Sequence, residues 1–230
     1  MERRYKELQK TIKIKFKDIH LLDTVFIHKS YANEHKNVKE HNERLEFLGD
    51  AVLELAATDF LYRKYPNKPE GLLTDLRSAL VKGNHLAEIA AELKIGGLLY
   101  LSKGEIKSGG YAKPYIMANA LEALIGAIYL DQGYKAAYKF IEKFILNRIS
   151  PIIEKGLYID PKSRLQEITQ GKNFGAPIYK IIEESGPDHA KMFKVGVYIN
   201  NEFIAEGKGS SKQKAEQEAA AAALNKKGWK

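Results

Sequence analysis

The chain has 230 residues and a mass of 26.0 kDa; 44% of the residues are hydrophobic and 29% charged, which suits one large folded domain or two modest ones and argues against disorder. It has no cysteine, which excludes a disulfide framework, a zinc ribbon and a thiol nucleophile. The 37 Lys and Arg against 29 Asp and Glu leave +8 and a pI near 9.3, compatible with a polyanionic partner.

Residues 1–11 are charged and polar without strand alternation and read as helix. Phe16, Ile19, Leu22, Val25 and Phe26 follow helical spacing. Residues 43–61 carry Leu45, Leu48, Val52, Leu53, Leu55 and Ala56 as a stripe at steps of three and four, and 72–80, 84–93, 116–130 and 134–149 repeat the pattern. Pro66, Pro69, Gly83, Gly109, Pro114 and Gly133 punctuate these runs. An all-α domain over residues 1–153 is expected, then a short linker at 154–159. From 160 to 230 the grammar changes. Residues 161–170 read as a short helix, 177–184 as a strand, and Phe193, Val195, Val197 and Ile199 alternate as a second strand. Asn200 and Asn201 suit a hairpin turn, Phe203 and Ala205 continue on the return strand, and Gly207 and Gly209 end it. Ser210 and Ser211 cap a last helix running to Leu224. The expected fold class is thus an all-α N-terminal domain plus an α+β domain of order α-β-β-β-α. This second part, with 12 basic against 9 acidic residues, carries +3 and the rest +5, so any polyanion site is a patch.

Glu43, Glu46 and Asp50 stand at i, i+3 and i+7, on one side of a helix and bordering its apolar stripe. Such carboxylates repel, more so when desolvated, and a cation between them removes the penalty. Asn119 and Glu122 lie at i, i+3 in an otherwise apolar helix. If the two helices pack side by side, Glu46, Asp50, Asn119 and Glu122 converge as hard oxygen donors suited to Mg²⁺ or Mn²⁺. A solvated acidic face is the plainer reading of the same spacing. Gly49, about 1 kcal/mol worse than Ala within a helix, points to a close helix approach.

The stretch 42–53, Asn-Glu-Arg-Leu-Glu-Phe-Leu-Gly-Asp-Ala-Val-Leu, resembles the signature of bacterial ribonuclease III, the double-stranded-RNA endonuclease. The likeness continues in His28-Lys29-Ser30-Tyr31, Glu70-Gly71, Leu80-Val81 and 121–130, and the C-terminal part resembles a double-stranded RNA-binding domain. The resemblance implies that Asp50 and Glu122 are the carboxylates most needed for catalysis and Glu46 a metal ligand. It implies that Glu43 and Glu70 line the same cleft and that Phe47 packs into the partner of a homodimer. It further implies hydrolysis of duplex RNA with Mg²⁺, 5′-phosphate and 3′-hydroxyl ends, processing of ribosomal and structured messenger RNA, a cytoplasmic location and no membrane association. The family most often carries Asp where this chain has Asn119, so metal affinity is expected to fall while the fold tolerates the change. A variant that still cuts, a weakened enzyme and a deliberately inactivated one remain open, as does a binding protein whose nuclease has decayed.

In the RNA-binding part, Lys212 and Lys214 add side-chain charge to the free N–H groups of a helix N-terminus, which suits phosphate oxygens. Gln213 departs from the basic residue usual there in the family. The resemblance places Gln166 and Glu167 against one minor groove and His189 against a second, a mode that reads duplex shape over ~16 base pairs.

Overall fold

Helices build the first unit, Met1–Tyr158, of the computed structural model, which describes residues 2–187 and 191–229. In chain order they are α1 (Glu2–Ile12), α2 (Ile19–Val25), α3 (Lys29–Glu34), α4 (Glu43–Lys64), α5 (Glu70–Val81), α6 (Gly83–Glu92), α7 (Lys103–Lys107), α8 (Pro114–Gln132), α9 (Tyr134–Phe144) and α10 (Ile149–Glu154). Local chemistry sets several starts. Asp18 accepts from the N–H groups of His20 and Leu21 at the head of α2, and Ser102 accepts from Glu105 N–H in α7. Pro114 opens α8, where its missing N–H costs nothing. Among the described residues this unit holds no strand, only an isolated parallel bridge between Ile27 and Tyr100.

α8 is the axis of the unit. Ile116, Leu121, Leu124, Ile125 and Ile128 are buried around its whole circumference, as a helix surrounded by others requires. α4, α6, α9 and α2 pack on it, bringing Val52, Leu53, Leu86, Ile89, Phe140 and Leu22 to one core. Each fully buried Leu, Ile or Val contributes about 1.5–3 kcal/mol.

One expectation for this unit changes. Residues 134–149 do not form one helix. α9 stops at Phe144, a 3-10 turn spans Leu146–Arg148, and α10 begins at Ile149. The restart places Pro151 in a first turn, where no N–H is needed; one continuous helix would have left a carbonyl unbonded there. The stretch 154–159 is largely tied down. Gly156, at φ +64°, lets its own N–H reach Ile153 O and Leu157 N–H reach Ile152 O, and Tyr158 packs on the core.

The second unit, Ile159–Lys230, contains α11 (Pro161–Gly171), β1 (Ile178–Ser185), β2 (Met192–Ile199), β3 (Glu202–Gly209) and α12 (Lys212–Lys227). The strands form an antiparallel sheet in the order β1-β2-β3. Asn200 and Asn201, at φ +51° and +66°, make the turn whose twist suits a two-residue hairpin. Leu165, Val197, Ile199, Ile204, Ala219, Ala220 and Ala223 form a separate core. Gly209 is the last residue of β3, as expected, and Gly207 stands two residues before it. A Cβ on Gly207 would stand 2.2 Å from Ala219 N, and one on Gly209 2.6 Å from Ala215 N, so both glycines admit the backbone of α12. Tyr179 packs on this core, whereas Phe203, 44% exposed, meets Tyr198 edge-on outside it. The order α-β-β-β-α is the one expected from the sequence.

Candidate functional site

The start of α4 is fixed by a buried amide. Asn42 is 2% exposed, its Nδ2 donates to Val25 O and its carbonyl accepts the Glu46 N–H. From there Glu43, Glu46 and Asp50 follow along one side of the helix. Lys29 holds Glu43 at 3.1 Å, and His41 Nδ1 stands 3.8 Å from the same carboxylate.

The crossing of α4 and α8 is set by two glycines. A Cβ on Gly49 would lie 1.7 Å from Glu122 O and 2.9 Å from Gly126 N. A Cβ on Gly126 would lie 2.2 Å from Leu45 O. Any side chain at either position would drive the helices apart, and with them the polar groups that flank the contact. Sequence reasoning anticipated Gly49 but missed Gly126, whose signal was a second glycine one turn beyond Glu122.

This close approach brings Glu46 and Asp50 of α4 together with Asn119 and Glu122 of α8. Along with Glu43 and Phe47 they line one pocket of about 390 Å³. Burial, then the charges of Asp50 and Glu46, push Glu122 up to about 7. Glu46 is raised by burial and by Glu43, and a hydrogen bond from Asn119 works against the rise. Among the described residues no three His, Asp or Glu side chains form a ready-made metal cluster, so the Asn119 amide and solvent would have to complete any coordination here.

The other site candidates fall as follows. Glu70 does not line this pocket; it opens α5, which packs on α4, and Thr74 donates to its Oε1. Phe47 is 81% exposed and lies outside the core. Gln166 and Glu167 are exposed on α11, with Glu167 3.7 Å from Arg164. Lys212, Gln213 and Lys214 are exposed in the first turn of α12, which Ser211 caps through Lys214 N–H. Lys212 stands 3.8 Å from Glu184 and over the Phe193 ring. His189 lies outside the described residues.

An acid-lined helix crossing followed by an α-β-β-β-α module defines a two-domain class, and comparison with known proteins agrees. Residues 18–149 match the family described as Ribonuclease-III-like, and residues 161–227 match the double-stranded RNA binding motif. The chain belongs to the ribonuclease III family. It is 44% identical over 214 residues to a Ribonuclease 3 of Treponema denticola, covering 93% of this chain and 87% of that protein. It is 45% identical over 223 residues to one of Desulfotalea psychrophila, covering 97% and 92%. The solved nuclease domain of the Campylobacter jejuni enzyme aligns at TM-score 0.58 with 39% identity, over 62% of this chain and 94% of that one. A second structure of that domain, described for flexibility in a region involved in dimer formation, aligns at 0.57 with 40% identity, over 61% of this chain and 97% of that one.

Proposed function

We propose that the chain is a Mg²⁺-dependent endoribonuclease that cuts double-stranded RNA as a homodimer, leaving 5′-phosphate and 3′-hydroxyl ends. The observation that carries this reading is the convergence of Glu46, Asp50, Asn119 and Glu122 across the Gly49–Gly126 contact, in a chain with a duplex-RNA-binding module.

The donor set fits a hard divalent cation, since all four groups offer oxygen and two carboxyls are raised by burial and by neighbouring carboxylates, a repulsion that a cation relieves. Glu46, Asp50, Asn119 and Glu122 would hold Mg²⁺ or Mn²⁺. When bound, such an ion activates water and neutralises a phosphate oxygen. Glu122 gives up its proton to take part, so affinity rises with pH through about 7. Asp50 and Glu122 orient the reacting groups from opposite walls of the pocket. Gln166, Glu167, His189, Lys212 and Lys214 hold the duplex.

The dimer is supported by Phe47. An aromatic side chain left this exposed is costly in water unless covered, and it adjoins a groove lined in part by Leu21, Leu48 and Leu130. A two-fold axis would seat each Phe47 against its partner. Precursor ribosomal RNA and structured messenger RNA are the proposed substrates and the cytoplasm the proposed location; no helix among the described residues is long and apolar enough to cross a membrane.

Incubating a long RNA duplex across Mg²⁺ and Mn²⁺ titrations, with end-group mapping, tests the proposal. A second reading rests on Asn119, a neutral amide among the carboxylates of the pocket: a duplex-binding protein of weakened nuclease. Binding without products in either metal would establish that second reading.

A further inference from the structure

The first unit carries a second concave surface, built from other elements than the acidic pocket. Residues 12–14, after α1, and residues 132–143, across the α8–α9 junction, enclose about 450 Å³. Four lysines rim it: Lys13, Lys135, Lys139 and Lys143. Three of them follow from helical spacing. Positions 135, 139 and 143 lie four apart on α9, about 6 Å per step along its axis, opposite Ala137 and Ile141, which enter the core. Lys13 is presented by a backbone turned to φ +59° directly after α1, and Lys143 Nζ donates to Thr11 O, tying that turn to α9.

The charge here is unbalanced. No carboxylate lines the surface, and none of the four lysines forms an ion pair among the described residues, although eleven ion pairs occur elsewhere in the chain. Like charges four apart on a helix cost stability, and a bound polyanion removes that cost. The floor, Ile12, Ile14, Ala136 and Phe140, is apolar, and Gln132, the one uncharged polar side chain in the lining, has its Nε2 engaged by Lys15 O and Asp131 Oδ2.

We propose that this groove is a phosphate-backbone site that holds the single-stranded RNA flanking a duplex. Four ammonium groups over an apolar floor predict binding governed by charge and largely indifferent to sequence, as on a flexible single strand whose backbone can follow them. The site adds to the duplex contact of the second unit and does not depend on cleavage.

The test uses the full chain in Ca²⁺ or metal-free buffer and three RNAs: a blunt duplex, the same duplex with a single-stranded extension, and an oligouridylate alone. Wild type is compared with a Lys13→Ala, Lys135→Ala, Lys139→Ala triple variant and the corresponding Lys→Arg triple. The extension should tighten wild-type binding and steepen its salt dependence. The Ala triple should lose that gain, flattening the log–log salt slope by about 2 at ~0.7 per neutralised phosphate. The Arg triple should keep it, and all three should bind the blunt duplex alike. Loss of oligouridylate binding in the Ala triple alone supports the site even if wild type fails to bind the blunt duplex, an outcome that would instead sink the duplex-RNA reading. An extension that adds nothing to wild type, or an Ala triple that binds extended RNA as wild type does, overturns the site and would leave the lysines to an acidic protein.

Discussion

Glu122 interrupts the most apolar helix of the chain, and its surroundings punish its charge. Its carboxyl titrates near 7 rather than 4.5, so the folded state holds the proton that the unfolded chain releases earlier. The stability that this protonation brings is complete below pH 4.5 and is lost as pH rises through 7. Metal-free protein should therefore melt lower at pH 8 than at pH 5. Glu122→Gln should flatten that dependence, and calorimetry across the range checks it. Asn119 acts in the same field: its neutral amide lines the pocket where a further carboxylate would add repulsion. Asn119→Asp should lower the metal-free melting temperature by a few degrees, at about 2–4 °C per kcal/mol for a chain of this size. It should also enlarge the rise on adding Mg²⁺ and increase cleavage at low Mg²⁺. The acids themselves were legible because their spacing is local, whereas the burial that raises Glu122 depends on how α4 and α8 pack and has no sequence signature.

At the scale of elements, the site depends on how closely α4 and α8 approach. Gly49 meets the carbonyl of Glu122 and Gly126 that of Leu45, so each helix packs against bare backbone of the other. Gly49→Ala would place a methyl carbon inside that carbonyl. It should cost about 3 kcal/mol or more and abolish activity in whatever remains folded, measured by denaturant unfolding alongside cleavage. Helical periodicity gave the identity of most elements, since α4, α5 and α6 carry apolar residues at steps of three and four and α8 is apolar almost throughout. It could not separate α9 from α10, because the apolar spacing runs on through 145–149 and only the burial of both flanks distinguishes a turn from a continuous helix. Nor could it see why glycine stands at both 207 and 209, a matter of where α12 lies. The Asn200–Asn201 turn was legible, because the backbone demand there is met by the residues themselves.

For the whole molecule, one chain carries an acid-lined unit and a unit of duplex-binding type, each with its own core. In the second unit Lys212 is held by Glu184 before any RNA arrives. Lys212→Ala should weaken binding evenly across duplex sequences and reduce the salt slope by about 1, read from titrations at several salt concentrations. In the first unit Phe47→Ala should shift the chain toward monomer in sedimentation with little loss of monomer stability, since the ring contributes nothing to its own core. The Lys212 effect is separable from the pocket, which Phe47 helps to line and where the account is most exposed. Anomalous diffraction from a crystal soaked in Mn²⁺ tests it directly: a peak should appear among Glu46, Asp50, Asn119 and Glu122 and vanish in Glu122→Gln. Manganese bound only elsewhere, in protein that still cuts duplex RNA, would contradict the assignment of these four residues.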